Sequence, residues 1–439
     1  NTRRETKITI RWLQRDMTLL TSRIVTCRPY FICRVTLLLL LYKGQAWSPT
    51  LHRSSRLSAI SSRLMMESTA QPRPPKHVVI VGGGVIGTTT AYYLAEHHEI
   101  SSTIIDPSGT IAPAASGKAG GFLALDWNDY SPVGPLARRS FQLHQEIADK
   151  LGGDKIQYRR LTCASIRVGP RAAAKPKGKK LEYVEWAQTE EDFSTVLAAR
   201  PLGDESTIAQ VHPKLLCQSL WEVASKSKEE GGVGSKLVQG KAVGVEYDEK
   251  TEKLVGVRME GTDTIIEGDA VLFACGPWTA NIMTGVKYHS VVIPTDQTLS
   301  QCVFFSGCGD PEVYVRPDNT AYCCGFPDAE VRVQEEPGQE EVRPEAVQRI
   351  VDAVKEASGG SLDGDNASLP AKSSSCYLPT TPDNLPIMGP LLSKDCGGGP
   401  GCYIATGHSC WGILMGPASG ESMAALIATG KSNHVNIDP

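Results

Sequence analysis

The order of apolar and polar positions near residue 80 predicts a β-α-β unit. An apolar run at 78–81 leads directly into the glycine-rich turn 82–87, and a helical apolar spacing follows over 91–95. A second strand then ends in an acid, Asp106. A strand, a glycine turn, a helix and a second strand with a terminal acid are the pattern of a dinucleotide-binding unit. The chain is therefore predicted to bind a dinucleotide here.

Beyond this unit, the periodicity predicts α/β structure that is interrupted twice by β-rich segments. Helical spacing predicts helices at 135–151, 213–224, 341–357 and 417–429. Alternating or short apolar runs predict strands at 158–168, 241–247, 253–259, 269–276, 291–293, 302–305, 313–315, 322–325 and 403–405. Residues 248–252 predict a hairpin turn, and 170–180 predict a solvated basic loop. The fold class predicted is α/β, as an α+β composite.

Each glycine of the turn has a physical role in a dinucleotide site. Gly82 permits the tight turn, Gly84 lets the backbone approach a pyrophosphate, and Gly87 lets helix and strand pack closely. The helix N-terminus offers N–H groups to the phosphates, and Asp106 can accept both hydroxyls of a ribose. A glycine-rich turn without a ligand is the alternative, but all four parts of the pattern occur together. This pattern does not separate NAD from FAD.

The first 76 residues differ in composition from the rest of the chain. They contain 14 Lys and Arg residues against three acidic residues, and they include the apolar run 35–42. That run is too short to span a bilayer as a helix. Basic, serine-rich and acid-poor segments are typical of leaders, so 1–76 is excluded from the fold. We expect an intracellular protein imported into a mitochondrion or plastid. A cytoplasmic protein with an untranslated or disordered tail is the alternative.

The charge and the cysteines of the chain argue against several classes of protein. The net charge is −3 although the leader is basic, so the body is acidic and no nucleic-acid partner is predicted. The 13 cysteines are odd in number and include no C-x-x-C pair. Buried thiols in a reducing compartment are favoured over a disulfide framework or a metal site. No metal and no transmembrane span are predicted.

Several segments together carry a resemblance to a known family. They are 81–95, 115–122, 269–278, 378–389 and 405–417. Over 77–431 the chain resembles the DAO-type FAD-dependent oxidoreductases, which include D-amino acid oxidase, glycine oxidase and monomeric sarcosine oxidase. The C-terminal segments indicate FAD rather than NAD, because in this family a second, distant part of the chain binds the flavin ring. Segments 287–290 and 375–379 are similar to a eukaryotic branch found in fungi and plants.

The resemblance implies a Rossmann-like FAD-binding domain with an inserted, mainly antiparallel β substrate domain. The first domain is expected at 77–160, 207–285 and 372–435, and the substrate or cap domain at 161–206 and 286–371. By resemblance, Asp106 binds the ribose, Val243 meets the adenine, and 412–414 place N–H groups at the flavin edge. The cofactor-binding residues implied are Gly82, Gly84, Val85, Ile86, Gly87, Asp106, Ser116, Gly120, Gly121, Val243, Gly276, Cys376, Gly407, Gly412, Ile413 and Leu414.

Two positions depart from the family pattern. His97 or His98 stands where a glycine usually ends the first helix, and Leu414 stands where sarcosine oxidases carry a lysine. The second departure leaves a helix dipole alone to stabilise a charged flavin edge. Cys376 lies six residues before Pro382, the spacing at which sarcosine oxidases attach FAD covalently. Covalent FAD at Cys376 is the hypothesis, and an ordinary buried thiol is the alternative.

Three residues are candidates for orienting the substrate or moving protons. Arg316 could pair with a substrate carboxylate, His408 could tune proton flow near the flavin, and His289 could lie over the flavin. The alternatives are a structural arginine and histidines that only pack. The predicted function is oxidation of a C–N bond of a small amine or amino acid by hydride transfer to FAD, which oxygen or another acceptor reoxidises. A flavin-bound assembly or trafficking protein with little catalysis is the alternative.

Overall fold

The computed structural model describes residues 74–169, 183–187, 196–279, 284–307, 309–328, 330–358, 362 and 372–432. The leader predicted at 1–76 lies outside these ranges except for 74–76, and the basic loop 170–180 lies wholly outside them. Organelle import therefore stays a prediction from composition. Within the described ranges, no helix combines the length and the apolarity that a membrane crossing requires.

The described chain contains six α-helices and twenty strands, besides short 3-10 helices at Gly276–Trp278, Lys394–Cys396 and Ser409–Trp411. The helices are α1 (Val85–His98), α2 (Ala115–Lys118), α3 (Gly134–Leu151), α4 (Pro213–Ser225), α5 (Pro344–Ser358) and α6 (Gly412–Thr429). The strands are β1 (His77–Val81), β2 (Ser101–Asp106), β3 (Phe122–Ala124), β4 (Arg159–Arg160), β5 (Thr162–Val168), β6 (Val196–Gly203), β7 (Ile208–Gln210), β8 (Lys236–Gln239), β9 (Ala242–Tyr247), β10 (Leu254–Met259), β11 (Ile265–Glu267), β12 (Ala270–Phe273), β13 (Thr284–Pro294), β14 (Gln301–Ser306), β15 (Glu312–Arg316), β16 (Thr320–Gly325), β17 (Glu330–Val331), β18 (Lys372–Thr380), β19 (Ile387–Pro390) and β20 (Cys402–Thr406).

A six-stranded sheet carries the β-α-β unit that the sequence predicted. Its strand order is β19-β20-β12-β1-β2-β8, and β1 pairs in parallel with both β12 and β2. The apolar run 78–80 in β1 is fully buried, as expected for a parallel strand covered on both faces. The register pairs Val81 with Ile105, so the glycine turn and Asp106 lie at one edge of the sheet.

The first and last described helices, α1 and α6, pack closely because glycines leave room at their contact. A Cβ at Gly416 would lie 2.6 Å from a methyl carbon of Val85, and one at Gly420 would lie 2.4 Å from Thr89 Oγ1. Thr89 Oγ1 also donates a hydrogen bond to the Gly416 carbonyl, 3.0 Å away. Any larger side chain at either glycine would force the two helices apart.

The start of α6 differs from the sequence prediction. The helix begins at Gly412, not at 417, and Pro417 lies inside it without the N–H that would bond to the Ile413 carbonyl. His144 of α3 replaces that bond, since its Nε2 lies 2.9 Å from the Ile413 carbonyl oxygen. A carbonyl can only accept, so Nε2 carries the proton. Burial lowers the pKa of His144 to about 4, so the ring is neutral near pH 7.

The second sheet has eight strands and is mainly antiparallel, as the resemblance implied. Its path is β17-β13-β16-β15-β14-β5-β6, with β18 paired to β13, and among its described strand pairs β14–β5 alone is parallel. β18 pairs with β13 from Thr284↔Thr380 to Val292↔Lys372. Residues 372–380 therefore form part of this sheet, while the domain boundaries stay a prediction. Two three-stranded sheets, β11-β10-β9 and β3-β7-β4, complete the described chain.

Candidate functional site

A cavity of about 460 Å³ joins the carboxyl edge of the six-stranded sheet to the eight-stranded sheet. The glycine turn and Asp106 line it from the first sheet, and Tyr288, Glu312, Tyr314 and Tyr322 line it from the second. Residues 240–242, 274–278 and 405–410 also line it. Because these segments come from distant parts of the chain, the fold and not local sequence assembles the cavity.

Steric contact fixes the shape of the glycine turn. Gly82 has a φ of +112°, and a Cβ on it would lie 2.4 Å from the Ala274 carbonyl oxygen. A Cβ on Gly87 would lie 2.1 Å from the Gly82 carbonyl oxygen. Gly84 gives α1 an N-cap without a side-chain hydrogen bond, so the first turn of the helix presents its backbone N–H groups at the cavity. Val85 N is the exception, since it donates to Ser116 Oγ at 2.9 Å.

The protein already holds the Asp106 carboxylate in place with three hydrogen bonds. Oδ2 accepts from Gly83 N at 3.0 Å, and Oδ1 accepts from Ser108 N at 3.0 Å and Ser108 Oγ at 2.7 Å. A carboxylate has about four lone-pair sites, so about one remains for a ligand. The side chain is therefore oriented before a ribose binds, with room for a single further donor.

The C-terminal segment brings a second helix N-terminus to the cavity. Gly407, His408, Gly412 and Ile413 all line it, and α6 starts at Gly412. His408 Nε2 lies 2.9 Å from Ser419 Oγ, and burial lowers the pKa of His408 to about 4. A neutral, hydrogen-bonded imidazole is therefore placed beside the positive end of α6.

The residues around the cavity fit FAD. A Cβ at Gly276 would meet no atom within 4 Å, and one at Gly412 would meet only the Cβ of His408 at 3.7 Å. Both glycines thus keep open cavity space that any other residue would fill. The N-termini of α1 and α6 supply N–H groups without intrahelical acceptors, which suit phosphate oxygens and carbonyl oxygens. These two donor groups are what a pyrophosphate and the carbonyl edge of a flavin require.

Twelve of the sixteen residues expected to bind the cofactor line the cavity, and four do not. The twelve are Gly82, Gly84, Val85, Ile86, Asp106, Ser116, Gly120, Gly276, Cys376, Gly407, Gly412 and Ile413. Gly87 and Gly121 act behind it, where a Cβ would lie 2.1 Å and 1.9 Å from backbone oxygens. Leu414 is buried, and Val243 is half-exposed beside the lining residue Ala242. Contact of each with FAD stays a prediction.

Two of the three expected substrate residues lie away from the cavity wall. His289 follows the lining residue Tyr288 on β13, so its side chain projects from the other face, where Nε2 accepts from Arg343 N at 3.2 Å. Arg316 is buried behind the wall, with its guanidinium carbon 5.4 Å from the Tyr322 ring centre. Its Nη2 donates to the Ala119 carbonyl at 3.3 Å. His408 is the one of the three that lines the cavity.

Sequence reasoning missed Glu312, which does line the cavity. Glu312, Tyr314 and Arg316 alternate along β15, so they share one face of the strand. Burial raises the pKa of the Glu312 carboxyl, and Tyr314 OH donates to its Oε2. The alternation Glu-Val-Tyr-Val-Arg is visible in the sequence and could have identified Glu312 once Arg316 had been singled out.

Comparison with known proteins agrees with this geometry. A family model described as FAD dependent oxidoreductase (DAO) matches residues 77–426. A Schizosaccharomyces pombe protein named as an oxidoreductase, C1F5.03c, is 30% identical over 364 residues, covering 76% of this chain and 88% of its own. Glycine oxidase from Geobacillus kaustophilus has a TM-score of 0.64 at 20% identity, covering 84% of this chain and 98% of its own. L-proline dehydrogenase from P. horikoshii has a TM-score of 0.62 at 18% identity, with 83% and 96% covered. These two structures share the fold.

Proposed function

Because the chain belongs to the DAO family of FAD-dependent oxidoreductases, we propose that it oxidises a C–N bond of an amino acid or another amine. The observation that carries the proposal is the continuity of the cavity, which reaches from the dinucleotide turn to the tyrosines of the second sheet. A small molecule beside those tyrosines can share one cavity with the reactive end of the cofactor. The names of the two structural relatives, a glycine oxidase and a proline dehydrogenase, favour amino groups as the reacting class.

The side chains and backbone of the protein have few tasks in such a reaction. FAD, when bound, supplies the hydride acceptor, and the protein has to hold the reactants and exclude water. Gly276 and Gly412 keep cavity space open for the cofactor, and the Asp106 carboxylate is held in place for a ribose hydroxyl. The N-terminus of α6 favours negative charge at the cavity. His408 is neutral over the ordinary pH range, because its pKa is held at about 4.

Anaerobic mixing of the FAD-loaded protein with a panel of amines tests the proposal. The panel contains primary amines, D-, L- and N-methyl amino acids, and for each amino acid the hydroxy acid of the same shape, such as glycolate for glycine. We expect at least one amine to remove the visible absorbance of oxidised FAD, while the matched hydroxy acid leaves it unchanged. Reduction by hydroxy acids alone, or by no member of the panel, would contradict C–N oxidation.

The absence of a cation near the flavin end of the cavity favours a second candidate function. Lys241 is the one Lys or Arg among the described lining residues, and its neighbour Gly240 donates to the Asp106 backbone carbonyl at 3.2 Å, at the ribose end. Leu414, where sarcosine oxidases carry a lysine, is buried outside the lining. A flavin-bound assembly or trafficking protein with little catalysis would need no such cation. The same panel distinguishes it, since a structural flavin would stay oxidised throughout.

Covalent attachment of FAD at Cys376 is a separate part of the proposal. Cys376 lines the cavity, and burial raises the pKa of its thiol to about 12. Attachment would replace one C–H bond of a flavin methyl group with the C–S bond, and it requires a base to take the thiol proton. The electron pair released would reduce the flavin, which oxygen or another acceptor would then reoxidise. After acid precipitation, we expect a yellow pellet from the unchanged protein and a yellow supernatant from Cys376→Ser. Cys410→Ser is the matched control, because Cys410 also lines the cavity and should leave the pellet yellow. Free flavin from the unchanged protein would rule the attachment out.

We propose import into a mitochondrion or plastid as the cellular destination, with the cytoplasm as the alternative. The support is the composition of residues 1–76, with 14 basic and three acidic residues. Segments of this kind are typical of import leaders.

A further inference from the structure

The carboxyl of Glu312 has no ionic partner among the described residues. Both of its hydrogen bonds go to Oε2, one from Tyr314 OH and one from Cys324 Sγ at 3.6 Å. Oε1 receives no donor from the described chain, and no described Lys or Arg forms an ion pair with the group. Burying a charged carboxylate away from water costs free energy unless a cation pairs with it.

The other two lining carboxyls are accounted for by the protein. Asp106 accepts three hydrogen bonds at the dinucleotide turn. Glu335 is highly exposed, and its carboxylate lies 3.9 Å from the guanidinium of Arg332. Among the described lining residues, Glu312 is thus the carboxyl that still has an oxygen available to bind a ligand.

The surroundings of Glu312 suit an organic cation. Tyr288, Tyr314 and Tyr322 line the cavity with it, and the Tyr314 and Tyr322 rings stack with centroids 5.9 Å apart and planes at 12°. These rings place apolar surface beside the carboxyl, and a carboxylate attracts a cation more strongly in such surroundings than in water. No Lys or Arg lines this part of the cavity in the described chain, and Arg316 points its Nη2 at the Ala119 carbonyl. A substrate carboxylate beside Glu312 would therefore meet a negative neighbour, and the described lining there supplies no cation to offset it.

We propose that Glu312 binds the ammonium group of the substrate and that the substrate is an amine without a carboxylate. The proposal rests on amine oxidation as the function and narrows its substrate class. The free Oε1 accepts the N–H of the ammonium group, while the tyrosine rings flank its alkyl part. Arg316 then has a structural role, against the sequence expectation that it holds a substrate carboxylate.

Three ligands of one shape test the proposal on the FAD-loaded full chain without turnover. The probe is tert-butylammonium, which has no hydrogen on the carbon next to nitrogen and cannot be oxidised there. Its neutral counterpart is tert-butanol, and 2-aminoisobutyrate replaces one methyl group with a carboxylate. Binding is measured by the change in flavin absorbance and by calorimetry. We expect tert-butylammonium to bind on the order of tenfold more tightly than either of the others.

Two variants assign the effect to Glu312. Glu312→Gln should lower the affinity for tert-butylammonium on the order of tenfold and leave tert-butanol unchanged. Glu345→Gln, the same change at an exposed position on α5, should alter neither affinity. If Glu312→Gln does not hold FAD, Glu312→Asp keeps the charge and should retain the preference for the cation over the alcohol.

The outcomes separate this proposal from the proposed function. Equal binding of the three ligands, or tighter binding of 2-aminoisobutyrate, overturns the assignment even if amino acids reduce the flavin. A cation preference that disappears in Glu312→Gln supports it even if no amine in the panel is oxidised.

Discussion

Replacing Gly87 with alanine should weaken FAD binding by about a hundredfold. The new Cβ would lie 2.1 Å from the Gly82 carbonyl oxygen and 3.1 Å from Ile80 Cγ2, so α1 would have to move away from β1. That movement displaces the N–H groups that α1 presents to the cavity. Forcing an extra methyl group into a packed contact costs about 1–3 kcal/mol, and about 2.7 kcal/mol corresponds to a hundredfold change in a dissociation constant. Titration of the apoprotein with FAD, followed by flavin fluorescence, measures the dissociation constant.

Gly153→Ala is the matched control for this substitution. Its Cβ would make an ordinary contact at 3.5 Å with the Tyr158 carbonyl oxygen, far from the glycine turn. FAD binding should be unchanged in that variant. If Gly87→Ala binds FAD as tightly as the unchanged protein, the close approach of helix and strand does not position the phosphate site.

Removing Arg139 should destabilise the fold by about 3–5 kcal/mol. Arg139 of α3 donates from Nε and Nη2 to the two carboxylate oxygens of Glu421 in α6, at 3.1 Å and 2.9 Å. The Glu421 side chain is 4% exposed, so Arg139→Ala would leave a buried carboxylate without its guanidinium. The loss is measured as the free energy of unfolding in urea, with FAD present at the same concentration for each variant.

The neighbouring residue provides the comparison. Arg138 pairs with Asp129 at the surface, where water screens the pair, so Arg138→Ala should change the unfolding free energy little. Equal losses from the two substitutions would mean that burial of Glu421 does not decide the strength of the contact.

The dinucleotide unit could be predicted from the sequence because its signals are local. The apolar run of β1, the glycine turn and Asp106 stand within thirty residues of one another, and each has a steric or hydrogen-bonding reason for its place. β18 could not be predicted in the same way, because its first half is Lys-Ser-Ser-Ser and carries no apolar alternation. It is a strand because β13 offers it a long antiparallel partner.

More of the cavity lining could be predicted near the glycine turn than near the second sheet. The glycines at 82, 84, 276 and 412 all line the cavity, and their role in binding FAD stays a prediction. Arg316 and Glu312 lie on the same face of β15. The sequence could therefore indicate which face of the strand meets the cavity, but not which residues on that face reach it. The Tyr322 ring lies between the Arg316 guanidinium and the cavity, and the position of that ring depends on the pairing of β16 with β15.

The bond between His144 and the Ile413 carbonyl makes two distant positions of the chain epistatic. Pro417 removes an N–H from α6, and His144 returns one from α3. With alanine at 417 the backbone N–H could bond to the Ile413 carbonyl, and the second lone pair of that oxygen could keep the bond from His144. With His144 lost while 417 is proline, the Ile413 carbonyl would be left without its donor. We therefore expect the loss of His144 to cost more stability with proline at 417 than with alanine at 417.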